Sequence, residues 1–340
     1  MDNTTLTEQT AAEASQALKG LSAAVNEILF GQETLIETVI LALLAGGHLL
    51  LEGLPGLGKT ELVRTFSKTL DLDTKRVQFT PDLLPGDITG NPMLQEKDGQ
   101  RTFVFQEGPV FTNLLLADEI NRASPKTQSA LLEAMQERRV TVMGTTYALP
   151  FPFFVFATQN PIELEGTYPL PEAQLDRFLF KLNVYSASKE TLEKIITART
   201  LGQEPVVRKS MTGEQLARIS QLTNKVFLPE IVKSYIARLV HATYPNESTA
   251  AKVIKFGASP RAAIGLASAA RARALLEGRI HASVDDVRMA APHVLGHRII
   301  INYQDRMEGV TPESFIAKLI AEINPEEAEL PKSLSAAKIK

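Results

Sequence analysis

The chain has 340 residues, 44% of them hydrophobic, with a formal net charge of −3 and no cysteine. That is enough for two or three domains at about 150 residues each. The missing cysteines exclude disulfides, thiolate zinc sites and cysteine nucleophiles, and the slight acidity argues against a dedicated nucleic-acid binder, which carries a basic excess. No apolar run reaches the ~18 residues of a membrane span. The polar, acidic start, Met1 to Gln16, is unlike a secretory signal, so a cytoplasmic protein without membrane insertion is expected.

A flexible N-terminal segment, 1–17, with Met1–Thr10 frayed, is expected first. Leu18, Leu21, Val25, Ile28 and Leu29 recur at helical spacing, which predicts an amphipathic helix over about 12–29. Phe30-Gly31-Gln32 breaks it. A second helix, Glu33–Ala45, is apolar on most faces and is predicted to pack against a sheet, until Gly46-Gly47 ends it. His48 opens the next strand and reads as a satisfied core or edge residue rather than a ligand.

The apolar run Leu49–Leu51 reads as a buried parallel strand, and Glu61–Leu70 as a helix. Between them stands Gly53-Leu54-Pro55-Gly56-Leu57-Gly58-Lys59-Thr60, a G-x-x-x-x-G-K-T stretch in the strand–loop–helix setting of a phosphate-binding P-loop. Its glycines let consecutive N–H groups turn inward on an anion, with the positive end of the helix behind them. Lys59 is placed on the β- and γ-phosphates and the Thr60 hydroxyl on Mg²⁺, so ATP and Mg²⁺ are the expected cofactors.

Lys75–Thr80 is predicted as a short strand, and 81–108 as an insertion carrying a small hairpin around Phe103-Val104-Phe105. The buried run Asn113–Ala117 ends in Asp118-Glu119. Two acids at the carboxyl end of a core strand lie where an open α/β sheet binds its ligand. Asp118 is assigned to Mg²⁺ through its water shell, and Glu119 to polarising the attacking water. Ser124-Pro125 starts a helix that runs to about Arg138, and 138–149 reads as a hairpin with Arg138 and Arg139 solvated at its base. Phe153–Thr158 is another buried strand. It leads to Asn160, which is either a γ-phosphate or water contact or a plain turn residue before Pro161. Pro171 starts a helix leading to Arg177, and Phe178–Val184 is the last core strand.

From about 186 helical patterns take over and no further strand is expected. A linker helix is placed in 186–204 and a separate, all-helical domain in 205–324, with Thr212/Gln215 and Ser283/Asp286 as capping boxes and Pro260–Glu277 as a long small-residue helix. A charged, loose tail, 325–340, follows. The fold class is therefore α/β: a parallel-sheet core over 18–185 with a C-terminal helical lid.

Gly53–Thr60, Asp118-Glu119, Asn160, Arg177 and Arg261 in this order resemble an AAA+ ATPase. Gln78–Pro85 with Asp87-Ile88-Thr89-Gly90, Ala117–Arg122, Ala157–Pro161 and Gly257–Arg261 narrow the resemblance to the MoxR family, over about 18–305. The resemblance implies that Asn160 is the sensor 1 residue. It makes Arg177 an arginine finger offered to a neighbouring subunit's nucleotide and Arg261 the sensor 2 arginine, its action in cis or in trans left open. It implies an adenine site at Phe30-Gly31-Gln32 and a restraint of Glu119 by Gln78. It also implies a homo-oligomeric, hexameric ring that remodels client proteins alongside a von Willebrand factor A domain partner. Without it, Arg177 and Arg261 read as ordinary surface or salt-bridge arginines. An ATP-gated scaffold with little turnover, a nucleic-acid translocase and the motor subunit of a magnesium chelatase are the competing functions.

Overall fold

A computed structural model describes residues 6–97, 100–161, 166–200 and 202–325. Two helices come first, α1 (Glu8–Asn26) and α2 (Glu33–Leu44), then β1 (Leu49–Glu52), α3 (Lys59–Thr69) and β2 (Thr74–Gln78). A short helix α4 (Pro85–Thr89) and the antiparallel hairpin of β3 (Gly90–Lys97) and β4 (Gln100–Glu107) precede β5 (Leu114–Asp118). Next come α5 (Pro125–Glu137), a second hairpin of β6 (Arg139–Val142) and β7 (Thr145–Ala148), β8 (Phe154–Gln159), the single turn α6 (Glu172–Leu175) and β9 (Phe180–Asn183). The remainder is α7 (Lys189–Ala198), α8 (Gly213–Thr223), α9 (Glu230–His241), β10 (Ile254–Phe256), α10 (Pro260–Leu276), α11 (Val284–Leu295), β11 (Ile300–Ile301), α12 (Tyr303–Met307) and α13 (Pro312–Glu322).

The central sheet is parallel throughout, in the order β2-β5-β8-β1-β9. Successive side chains of a strand face opposite ways, so both faces must be apolar when helices cover both. Leu49 and Leu51, Leu114 and Leu116, Phe154 and Phe156 enter one hydrophobic cluster. Leu50, Leu115, Ala117, Val155 and Ala157 enter the other, against Leu131, Leu132 and Met135 of α5. This is why these strands show in the sequence as unbroken apolar runs. Ser124 caps α5 through the Thr127 amide with Pro125 in the first turn. Met143 and Gly144, both at positive φ, make the tight turn of the second hairpin.

Four expectations need correction. The N-terminal segment is not loose from Glu8 onward: Thr7 caps α1 there, and Ala11 and Leu18 are fully buried. The helix α2 packs chiefly on α1, α8 and α10 rather than on the sheet. Its all-round apolarity reflects enclosure by helices, and Ser220 of α8 donates to the Leu44 carbonyl at its end. The lid is not all-helical, because β10 and β11 form a small antiparallel pair too short to leave a period-2 signal. Nor is its interior separate, since Leu216, Tyr235 and Leu266 belong to the same cluster as Leu49 and Leu51, joined through α1 and α2. Ser15 of α1 donates to the Leu276 carbonyl of α10 at 2.6 Å. The tail expected over 325–340 lies, beyond Pro325, outside the described residues. Among the described residues no helix is long and apolar enough to cross a membrane.

Candidate functional site

The P-loop joins the carboxyl end of β1 to the amino end of α3. Gly58 precedes α3 at φ 83°, a left-handed conformation that favours glycine. Gly53 lies so close to the end of β9 that a Cβ would come within 2.7 Å of the Val184 carbonyl. The first-turn N–H groups of α3 have no helical acceptor and face the loop, which makes this an anion cradle. Lys59 Nζ donates to the Gly53 carbonyl at 2.5 Å and reaches the Gln159 carbonyl at 3.4 Å. Partial burial lowers the Lys59 pKa, and Asp118, Glu119 and Glu52 counter that shift.

The two acids are fixed on the same rim. Thr158, fully buried in β8, donates to Asp118 Oδ1 at 2.6 Å and accepts the Glu119 amide at 2.8 Å. Glu119, just past the end of β5, stands at φ 56°, in the left-handed region. Arg76 of β2 donates to Asp118 Oδ2 from Nε (3.1 Å) and Nη2 (2.6 Å), and from Nη2 to Gln78 Oε1 at 2.9 Å. Gln78 in turn donates to Glu119 Oε2 at 2.7 Å, and Arg122 donates to the same oxygen at 3.1 Å. The register that sets Gln78 opposite Asp118 makes this circuit possible. Asn160 is buried one residue past the end of β8, on this rim.

Among the described residues no three His, Cys, Asp or Glu side chains converge on a metal site. Mg²⁺ does not need such a cage: it keeps several waters and binds through one or two carboxylates plus substrate phosphates. Thr60, in the first turn of α3, and the buried Asp118 carboxylate, held here by Arg76 and Thr158, are donors of the kind that fits.

Beside the P-loop is a cavity of about 600 Å³ lined by Phe30, Gln32, Gly58, Tyr185, Leu192 and Arg199. Arg199 closes it by donating to the Ile28 carbonyl at 2.8 Å and pairing with Glu61 of α3 at 3.7 Å. Glu204 pairs with Arg64 and Lys68 at the same mouth. Of the predicted adenine loop, Phe30 and Gln32 face this cavity, while Gly31 lines an adjoining one of about 590 Å³ and packs on Thr191.

Arg177 and Arg261 are elsewhere. Parallel pairing aligns Leu49 with Phe180 and Glu52 with Asn183. Arg177, three residues before Phe180, is therefore at the amino-terminal rim, separated from the P-loop by a strand on the order of 10 Å long. Its Nη1 donates to the Leu132 carbonyl at 2.8 Å. Arg261, in the first turn of α10, lies beside it, with Nη2 donating to Gln136 Oε1 at 3.1 Å. One cavity of about 290 Å³ takes in Arg138, Arg177, Arg261 and Arg298. Arg138, expected to be merely solvated, donates to the Gly46 carbonyl at 3.0 Å. His48 is on the same rim, fully satisfied as expected: Nε2 donates to the Met135 carbonyl and Nδ1 accepts the Val155 amide.

Sequence reasoning missed Thr158 and Arg76. A buried threonine closing an otherwise apolar strand was the available signal for the first. The second, a basic residue two positions before Gln78, had no signal until strand register was known.

The family profile described as ATPase family associated with various cellular activities (AAA) matches residues 48–180, and an AAA lid domain profile matches 246–319. The chain is 44% identical over 300 residues to Chaperone MoxR1 of Mycobacterium tuberculosis, covering 87% of this chain and 79% of that protein. It is 29% identical over 311 residues to Protein MoxR of Methylorubrum extorquens, covering 85% and 90%. A crystal structure from Cytophaga hutchinsonii superimposes with a TM-score of 0.86 at 41% identity, covering 93% of this chain and 97% of that one.

Proposed function

The chain belongs to the MoxR family of AAA+ ATPases, and from that footing we propose that it hydrolyses ATP, with Mg²⁺, in sites shared between adjoining copies of itself in a closed hexameric ring. The observation that carries this is the separation of the two rims. Lys59, Thr60, Asp118, Glu119 and Asn160 gather at the carboxyl end of the strands, whereas Arg177 and Arg261 gather at the amino end. No single chain brings both sets onto one nucleotide, but a head-to-tail ring does so at every interface. The same separation supports Arg261 acting in trans.

Phosphoryl transfer calls for positioning and charge neutralisation more than covalent chemistry. The P-loop amides and Lys59 hold the β- and γ-phosphates, and adenine occupies the cavity between Phe30, Gln32 and Tyr185. Thr60 and Asp118 would hold Mg²⁺, which would supply positive charge on the phosphates when bound. Glu119 orients the attacking water and takes its proton, and Asn160 fixes that water against the γ-phosphate. Arg177 of the adjoining copy neutralises the charge that grows as the phosphoryl group leaves. The grip of Gln78 and Arg122 on Glu119 supports a slow resting state. It is also the observation that favours the second reading, an ATP-gated scaffold with little turnover.

The work done is chaperone-like remodelling of a client protein, carried out in the cytoplasm with a von Willebrand factor A domain partner. Leu94 and Phe103, paired across the β3–β4 hairpin and exposed, offer the client an apolar surface. The deciding experiment is phosphate release per chain across a range of protein concentration. The shared-site reading expects it to rise steeply as rings assemble, while a rate per chain that is flat down to the monomer overturns it. No phosphate release at any concentration, with ATP still bound, selects the scaffold.

A further inference from the structure

One carboxylate stands among the arginines of the amino-terminal rim. Asp176, the residue before Arg177, accepts from Ser259 Oγ on both oxygens (3.0 and 2.8 Å) and from Arg298 Nε at 2.8 Å. Arg261 Nη1 approaches its Oδ2 at 3.9 Å. Ser259 is the N-cap of α10 and also accepts the Arg261 amide, so a single hydroxyl connects the Asp176 carboxylate to the backbone of Arg261. Arg298 has only 3% of its side chain exposed. Beyond Asp176 Oδ1, it donates to the carbonyls of Asp176, Phe178 and Leu179, which are the turn carrying Arg177 into β9. Burial lowers the Arg298 pKa, and Asp176 opposes that shift. A buried guanidinium is stable here only because a carboxylate and a ring of carbonyls receive it.

These contacts join two elements far apart in sequence: the turn before β9, in the core, and the start of α10, in the lid. Each carries one of the two arginines. We propose that Asp176 is a positioning residue for the neighbouring subunit's site, holding Arg177 and Arg261 as one preset pair through Ser259 and Arg298. This rests on the shared-site reading above. Asp176 touches no nucleotide itself. It fixes the spacing at which the two guanidinium groups meet the phosphates of another chain, and its negative charge offsets the mutual repulsion of Arg138, Arg177, Arg261 and Arg298 around one cavity.

The test is complementation in mixed rings. Asp176→Asn keeps the size of the side chain and an acceptor oxygen but removes the charge. Alone, it is expected to bind ATP as the parent does and to lose on the order of 10- to 100-fold in turnover, the cost of misplacing a catalytic group by about 1 Å. Mixed one to one, before assembly, with Lys59→Ala, which has a broken P-loop and intact arginines, activity should return. About a quarter of interfaces then pair a sound P-loop with a sound arginine set. Mixed with Arg177→Ala, Asp176→Asn should gain nothing over its own low turnover, because neither chain has a sound arginine side. A purely structural defect in Asp176→Asn gives no rescue by Lys59→Ala and overturns the proposal, as does full activity of Asp176→Asn alone. Arg177→Ala with Lys59→Ala is the control for the shared site itself: rescue there without rescue of Asp176→Asn sinks only the Asp176 role, and failure there sinks the shared site together with it. If Asp176→Asn does not fold, Ser259→Ala replaces it, with the same outcomes expected at smaller amplitude.

Discussion

The two rims of the sheet are built differently. The carboxyl rim is assembled from short contiguous pieces of the core, spread from residue 53 to residue 160: an eight-residue loop, two adjacent acids, and a strand end carrying Thr158 and Asn160. Its polar groups are held by one another, as in the circuit Asp118–Arg76–Gln78–Glu119. The amino rim is assembled from isolated residues of core and lid, from Arg138 to Arg298, and its arginines are held by backbone carbonyls, the Gln136 side chain and one carboxylate. The first arrangement can rearrange when a ligand competes for its side chains. In the second, Arg138, Arg177 and Arg298 are pinned to main chain, and Arg261 rests on the Gln136 and Asp176 side chains. A receiving pocket that adjusts and a donating surface held more firmly suit the shared site proposed above.

Breaking the donating side has the largest expected effect. Arg177→Ala should leave nucleotide binding intact and lower turnover by about 10³-fold or more, read as phosphate release beside fluorescent-nucleotide binding; near-normal release would remove Arg177 from the chemistry. On the receiving side, Glu119→Gln should keep ATP bound and lose on the order of 10²- to 10⁴-fold in turnover, with the trapped nucleotide counted after gel filtration. Recovery of ADP in place of ATP would contradict the role given to Glu119.

Acid should distinguish the rims by stability. Burial holds the pKa of His48, on the amino rim, down to about 4 from 6.5, the Met135 carbonyl pulling up and Arg138 pushing down. His297, which donates to the Phe178 carbonyl there, is shifted the same way, again chiefly by burial. The unfolded chain takes these protons near pH 6.5 while the folded chain refuses them. Stability is therefore full above about 6.5 and falls as pH drops toward 4, by on the order of 3 kcal/mol for His48. Urea unfolding of His48→Gln should show a shallower loss between pH 7 and 4.5 than the parent; equal slopes would clear His48. The smallest effect is expected at Gln78→Ala, which removes one of the two hydrogen bonds on Glu119 Oε2, a contribution of about 1 kcal/mol. Basal phosphate release should rise severalfold, and an unchanged rate would mean that Arg122 alone restrains the acid.

How much of this could be read beforehand follows the same division. The P-loop and Asp118-Glu119 were legible because their chemistry needs contiguous residues at fixed spacing, and the core strands because burial on both faces leaves apolar runs. Arg177 and Arg261 were visible only through likeness to a family, since a lone arginine carries no local pattern. Arg76 was hidden because its partner Asp118 is set by strand register rather than by spacing along the chain. The enclosure of α2 by α1, α8 and α10 was misread for a related reason: a helix apolar all round does not say what surrounds it.

The interior of the lid runs without a break into one face of the sheet, joined through α1 and α2. Opening the lid like a jaw would wet the leucines of α1 and α2 along with it. In the ring proposed above, that continuity favours a stroke delivered between whole chains, with the force felt at the seams rather than inside any one member.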